Sequence, residues 1–150
     1  MLCRVGNWAD TAFVFTTLTK ESLMNTRTAV YWAATGLLAL AMFGSGLGAL
    51  IKLESLVETM QHLGYPTYVG PILGLWYVSA AIALVVPGLP LVKEWAYAGV
   101  AFAMTGAFAS HLFAGDGFAD YAPSLVLTAL VVASYVLRPP NRRLRATVMP

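Results

Sequence analysis

Lys52, Glu54, Glu58, Ser110, His111 and Asp116 are the polar side chains of this sequence whose types could act together. A lysine ammonium beside a carboxylate forms a charge-assisted pair, strongest where water is excluded. A histidine next to them takes or gives a proton near neutral pH. Tyr65 and Tyr68 add phenolic hydroxyls that donate or accept. Such a set suits recognition of a small polar head group, with proton transfer available. It does not suit thiol or zinc chemistry. The single cysteine, Cys3, excludes an internal disulfide and any CxxC motif, and two histidines, His62 and His111, are too few for a His-rich metal site, so no metal is expected. Each residue also has a plain structural explanation. Lys52 would snorkel to headgroups, Glu54 and Glu58 would form the wet face of a helix, and Asp116 would be a turn residue between two glycines.

These residues must be positioned by membrane helices. The chain is 59% hydrophobic and 11% charged, against about 25% charged in a soluble domain. Uncharged runs cover residues 28–51, 68–86 and 121–137, and the run 95–115 carries only His111 as a titratable side chain besides tyrosine. About 20 residues at about 1.5 Å each cross the roughly 30 Å hydrocarbon core. Between the first two runs, Leu53, Leu56, Val57, Met60 and Leu63 recur at helical spacing, with Glu54, Glu58, Gln61 and His62 on other faces. This predicts a short amphipathic helix that lies on the membrane surface and stops at Gly64. Gly44 and Gly48, four apart, predict a face of the first span that another helix can approach closely. The fold expected is an all-α membrane protein, four transmembrane helices in an up-down bundle with the amphipathic helix on the outer surface after the first span. Residues 1–27 read as a poorly defined tail. Met24-Asn25-Thr26-Arg27 resembles a natural start, which makes residues 1–23 an extension or a loosely ordered segment. Residues 139–150 read as a basic tail.

Four spans put the N-terminus, the loop at residues 87–94 and the C-terminus on one side. That side holds Arg4, Lys20, Arg27, Lys93, Arg138, Arg142, Arg143 and Arg145, and the other holds Lys52 alone. The positive-inside rule places both termini in the cytoplasm and the chain in the cytoplasmic membrane. The outer ends of the first and third spans then share one level, which gathers Lys52, Glu54 and Glu58 with Ser110, His111 and Asp116 at the outer mouth. A net charge of +2, with no basic cluster on a soluble segment, argues against nucleic-acid binding.

An ordered set of short motifs resembles the DoxX-like family of small four-helix membrane proteins. The carrying residues are Gly44-Ser45-Gly46-Leu47-Gly48 with Lys52-Leu53, the turn Leu63-Gly64-Tyr65-Pro66, and Pro71-Ile72-Leu73-Gly74. Val86-Pro87, Trp95-Ala96-Tyr97-Ala98-Gly99, and Ala109-Ser110-His111-Leu112 to Gly115-Asp116 complete it, over residues 28–138. The resemblance implies a four-helix bundle in the cytoplasmic membrane. It also implies a link to quinone-dependent oxidation of thiosulfate or to membrane oxidoreductase complexes, and it carries over Lys52, His111 and Asp116. On that reading His111 or Lys52 would hydrogen-bond a quinone carbonyl, Asp116 or Glu54 would orient that residue or pass its proton, and no covalently bound cofactor is expected. The alternative is a non-enzymatic membrane subunit that docks a membrane or periplasmic partner through its amphipathic segment. Small-solute transport fits less well, because internal repeats and a charge near the bilayer midplane are missing from the sequence. The residues leave the enzymatic and non-enzymatic readings both open.

Overall fold

The computed structural model describes the backbone of residues 8–144 and the side chains of residues 24–144. Every element among them is helical: α1 Trp8–Leu50, α2 Glu54–His62, α3 Val69–Val85, α4 Pro90–Ala114 and α5 Phe118–Leu137, followed by a 3-10 turn at Pro140–Arg142. Three segments are long and apolar enough to cross a membrane, Met24–Leu50 of α1, then α4 and α5. Helix α3 is apolar but shorter, at 17 residues. Exposed Leu40, Phe102 and Val126 show an apolar outer surface of the kind that faces lipid. Helix α1 already runs from Trp8, upstream of the expected start near residue 28. The reading of residues 1–7, and of all side chains up to residue 23, falls outside the described residues.

Four helices form the body. α1 packs on α3 and α5, and α4 packs on the same two. Leu38 and Met42 of α1, Leu84 of α3, Tyr97, Val100 and Met104 of α4 and Val131 of α5 meet in one core. A hydroxyl chain crosses it. Thr35 Oγ1 donates to the Tyr31 carbonyl at 2.7 Å, so it accepts from Ser134 Oγ at 2.7 Å, and Ser134 in turn accepts from the Tyr97 hydroxyl at 2.7 Å. Each of these hydroxyls is thereby satisfied inside the bundle.

The close approach expected at Gly44 and Gly48 occurs elsewhere. A Cβ at Gly44 would meet nothing within 4 Å, and one at Gly48 would meet the tip of Leu56 on α2 and the side chain of Leu53 just before it, not another span. The backbones touch at Gly46 of α1 and Gly74 of α3 instead, where a Cβ on either would lie under 3.0 Å from the other's carbonyl oxygen. Spacing identified the right helix and missed the face, because the contact depends on which stripe α3 packs against.

Three helix ends are closed by one device. After α2, Gly64 N–H donates to the Gln61 carbonyl and Tyr65 N–H to that of Met60. After α4, Gly115 N–H donates to Leu112 and Asp116 N–H to His111. After α1, Lys52 N–H donates to Ala49 and Leu53 N–H to Gly48. This paired pattern needs a left-handed residue, normally glycine. Gly64 (φ 78°) and Gly115 (φ 80°) supply it at two ends, and Lys52 (φ 55°) takes it at the third.

The starts of α4 and α5 lie upstream of their expected positions. Pro90 opens α4, so Lys93 and Glu94 belong to its first turns rather than to a loop. Gly117 caps α5, with its N–H donated to Asp120 Oδ2 at 3.2 Å, and Pro123, expected to start the helix, sits inside it.

Candidate functional site

The glycine turns aim two polar groups at each other. The turn after α4 folds Asp116 back over the last turn of its own helix, and its Oδ2 accepts from His111 Nδ1 at 2.6 Å. The turn after α2 brings His62 to the same carboxylate, where Oδ1 accepts from His62 Nε2 at 2.6 Å. An ionised carboxylate only accepts, so both imidazoles donate to it. Alongside, Ser110 Oγ donates to the Gly106 carbonyl at 2.9 Å, which leaves it to accept from the Tyr65 hydroxyl at 2.7 Å. Two side-chain bridges therefore fasten the α2 turn to the end of α4.

Exposure separates the roles within this clasp. The side chains of Asp116 and His111 are 10% and 13% exposed, whereas that of His62 is 59% exposed. Asp116 and His111 form an anchored base, and His62 is the ring that meets the surroundings. It lines an open cavity of about 340 Å³ with Leu63, Gly64, Ser110, Phe113 and Ala114. Hydrogen bonding to Asp116, with the attraction of its charge, raises the His62 pKa above the ordinary 6.5. Hydrogen bonds from His62 and then His111 hold the Asp116 carboxyl below its ordinary 3.8. Among the described residues no group of three or more His, Cys, Asp or Glu side chains is arranged to hold a metal ion. The two histidines take opposite oxygens of Asp116 instead of converging on one point.

Of the residues expected at the mouth, the structure joins His111, Asp116, Ser110 and Tyr65. It adds His62, which sequence reading left on the polar face of α2. The available signal was its place one residue before the helix-ending Leu63-Gly64, at the end of the molecule that also carries His111. Lys52 and Glu54 make no hydrogen bond or ion pair with His111 or Asp116. The expected Lys52–carboxylate pair is not formed among the described residues. Lys52 lines a different, narrow apolar cavity of about 60 Å³, with Ser45, Ala49, Leu56, Met60, Gly70 and Tyr77 among its neighbours. Glu54, Glu58 and Tyr68 are not part of the clasp, and Glu54 and Tyr68 are exposed.

A second polar region, at the opposite end, escaped sequence reading. Lys93 is 1% exposed, and its ammonium donates to the carbonyls of Ala83, at 2.7 Å, and Val86. Arg142 donates to the Leu84 and Val85 carbonyls, each at 2.9 Å, with its guanidinium 4.4 Å above the Trp32 ring. The carbonyls that α3 leaves without helical partners are thus each held by a cation. Arg138, 4% exposed, pairs with Glu94 at 2.8 Å and lies against the rings of Tyr97 and Tyr135. Sequence reading used these charges only to count sides of a membrane.

The model of the DoxX-like family matches residues 33–134, about two thirds of the chain. The chain belongs to the DoxX-like family. All residues of the clasp, with Tyr65 and Ser110, lie inside the DoxX-like match, whereas Arg27, Arg138, Arg142 and Arg143 lie outside it. No curated protein and no solved structure matches the chain.

Proposed function

We propose that this DoxX-like membrane protein binds the head group of a lipophilic redox molecule, such as a quinone, at the His62–Asp116–His111 clasp. The observation that carries this reading is the exposed His62 ring, held by an anchored carboxylate at the edge of an open cavity. That cavity falls in the usual range for a small-molecule head group, about 300–1,000 Å³. His62 reaches Asp116 through Nε2, which leaves Nδ1 for a ligand carbonyl oxygen. Proton uptake at Nδ1 makes an imidazolium, which Asp116 stabilises, so His62 can hold a proton near neutral pH and pass it to such an oxygen. A quinone, when bound, would supply two-electron, two-proton chemistry, with electrons exchanged with an oxidoreductase partner. Lys52 and Glu54 take no part in this version of the site.

On this reading the chain lies in the cytoplasmic membrane as an up-down bundle of four spans, with both termini in the cytoplasm and the clasp facing outward. What supports α3 as the fourth span is its packing between α1 and α4. At about 1.5 Å per residue it covers about 25 Å, and its last carbonyls are held by Lys93 and Arg142 beside the start of α4 and the end of α5. The excess of basic residues at that end supports a cytoplasmic position.

The test is thermal unfolding of purified protein with ubiquinone and menaquinone analogues, in wild type and in His62→Ala, His111→Ala and Lys52→Ala. A ligand that binds only the folded state at 100 times its dissociation constant adds about 2.7 kcal/mol. That stabilisation is expected in wild type and Lys52→Ala and absent from both histidine variants. No stabilisation of wild type overturns the quinone reading. One observation favours the alternative, a non-enzymatic docking subunit: α2 has no fully buried residue, so its outer face stays available for a partner. Under that reading an α2 variant loses a co-purifying membrane protein while quinones have no effect.

A further inference from the structure

The cations at the arginine end are mostly matched to helix carbonyls, but two of them crowd one acceptor. Arg27, at the start of the α1 span, donates to the Val136 carbonyl at 3.1 Å, and Arg143, after α5, donates to the same oxygen at 3.2 Å. The two guanidinium nitrogens therefore lie within about 6.3 Å of each other. A shared carbonyl satisfies one donor from each and neutralises neither charge. Among the described residues the acid in an ion pair at this end is Glu94, and its charge is taken by Arg138 at 2.8 Å. On the Arg143 side of the pair lies a cavity of about 490 Å³, lined by Glu94, Tyr135, Val136, Arg138, Arg143 and Leu144, while Arg27 approaches it through the shared Val136 carbonyl. Its charges sum to one excess cation before Arg27 is counted. Two like charges held together next to an open cavity attract an anion, and a guanidinium pair matches the oxygens of a phosphate.

The surroundings say which phosphate. Arg27 and Arg143 sit where the candidate spans Met24–Leu50 and Phe118–Leu137 begin and end, which is the headgroup level of a bilayer. Val30 on α1 and Val132 and Val136 on α5 are exposed next to them, and apolar side chains at that position face acyl chains. We infer that Arg27 and Arg143 form a binding site for the phosphate of an anionic phospholipid, seated where the start of the α1 span meets the end of α5. The site is independent of the clasp at the other end and of any quinone.

The experiment is native mass spectrometry of the purified protein with equimolar phosphatidylglycerol and phosphatidylcholine of identical chains. Each basic residue at a membrane surface contributes about fivefold toward an anionic lipid, so wild type should retain phosphatidylglycerol roughly twenty-five-fold over phosphatidylcholine. Arg27→Gln and Arg143→Gln should each lower the preference about fivefold and together bring it to parity, whereas Lys52→Gln, at the far end, should leave it unchanged. High salt on the wild-type protein gives the same test without any substitution: at about 1 M the preference should collapse, because exposed charges are then screened beyond about 3 Å. Equal retention of both lipids by wild type overturns the inference, as does a preference that survives the double substitution or the salt. Thermal stabilisation by inorganic phosphate equal to that by phosphatidylglycerol also overturns it, since the ligand would then be a free anion.

Discussion

Gly46 and Gly74 allow a decisive comparison of packing against pattern. A Cβ built on Gly46 lies 2.8 Å from the Gly74 carbonyl oxygen, 2.8 Å from Val78 Cγ2 and 3.0 Å from the Val78 nitrogen. Two of these atoms belong to the α3 backbone and cannot swing aside. Carbon-to-oxygen contacts between close helices run at about 3.3–3.6 Å, so Gly46→Ala must push α1 and α3 apart by roughly 0.5 Å or more. Overpacking of that kind costs about 1–3 kcal/mol, part of it as dispersion lost along the rest of the contact. Gly44→Ala is the reference, because a Cβ there meets nothing within 4 Å. Both substitutions gain the same helix propensity, up to about 1 kcal/mol, and that gain cancels in the difference. The readout is thermal unfolding in detergent. At roughly 2–4 °C per kcal/mol for a chain of this size, Gly46→Ala should melt about 2–12 °C below Gly44→Ala. Equal melting temperatures, or a lower one for Gly44→Ala, would refute the placement of the contact at Gly46 and restore the Gly44–Gly48 face.

Further outcomes follow from the two polar ends. The His62 titration midpoint, followed by NMR, should lie above 6.5 in wild type and fall in Asp116→Asn, because Asp116 is what raises it; an unchanged midpoint would exclude the ion pair. The sign sets the pH window for stability. The raised His62 pKa contributes fully below 6.5 and is lost as pH rises through the folded value, while the lowered Asp116 pKa contributes above 3.8 and is lost as pH falls through its folded value. The clasp should therefore stabilise most between these limits, and Asp116→Asn should flatten the pH profile of the melting temperature on both sides. Arg138→Ala removes one partner of a mostly buried pair, a change that costs roughly 3–5 kcal/mol when both partners are fully buried and less here because Glu94 is 25% exposed; Arg138→Lys should not rescue it, since an ammonium lacks the planar face that lies on Tyr97 and Tyr135. Lys52→Gly should raise stability by about 1 kcal/mol in chemical unfolding, because Lys52 holds a left-handed position (φ 55°) that suits glycine.

What could be read from the sequence was whatever depends on composition and short-range spacing. The uncharged runs gave α1, α3, α4 and α5, three of which hold segments long and apolar enough to cross a membrane, the period of Leu53, Leu56, Val57 and Met60 gave α2, and Gly64 gave its end. His111 and Asp116 were legible as partners because a Gly115 turn joins residues five apart. His62 was not, because periodicity says which face of α2 it occupies and not where α2 lies on the bundle. Lys52 stays out of the clasp for a related reason. As the first charge after a span it reads as a mouth residue, but its backbone closes the α1 turn and its side chain lines the cavity with Leu56 and Met60. Lys93 was counted as a loop charge because α4 was expected to begin at Trp95. Starting at Pro90 instead puts Lys93 one turn inside the helix, within reach of the end of α3.

The two ends of this bundle use polar groups in opposite ways, and the contrast bears on where ligand chemistry can reside. At the arginine end, Lys93, Arg138 and Arg142 are spent on carbonyls, on one carboxylate and on aromatic faces, and no buried side-chain nitrogen or oxygen among the described residues lacks a partner. Groups so committed cannot turn to a ligand without leaving helix ends unpaired in an apolar medium. Arg27 and Arg143 differ in being exposed with their charge uncompensated, which suits a lipid held at the rim rather than a reaction. At the histidine end the partly buried members, Asp116 and His111, are paired with each other, and the exposed member keeps one ring nitrogen outside the clasp. A group that is both oriented and accessible is what proton exchange with a bound head group requires, and among the titratable side chains of the described bundle His62 meets both conditions.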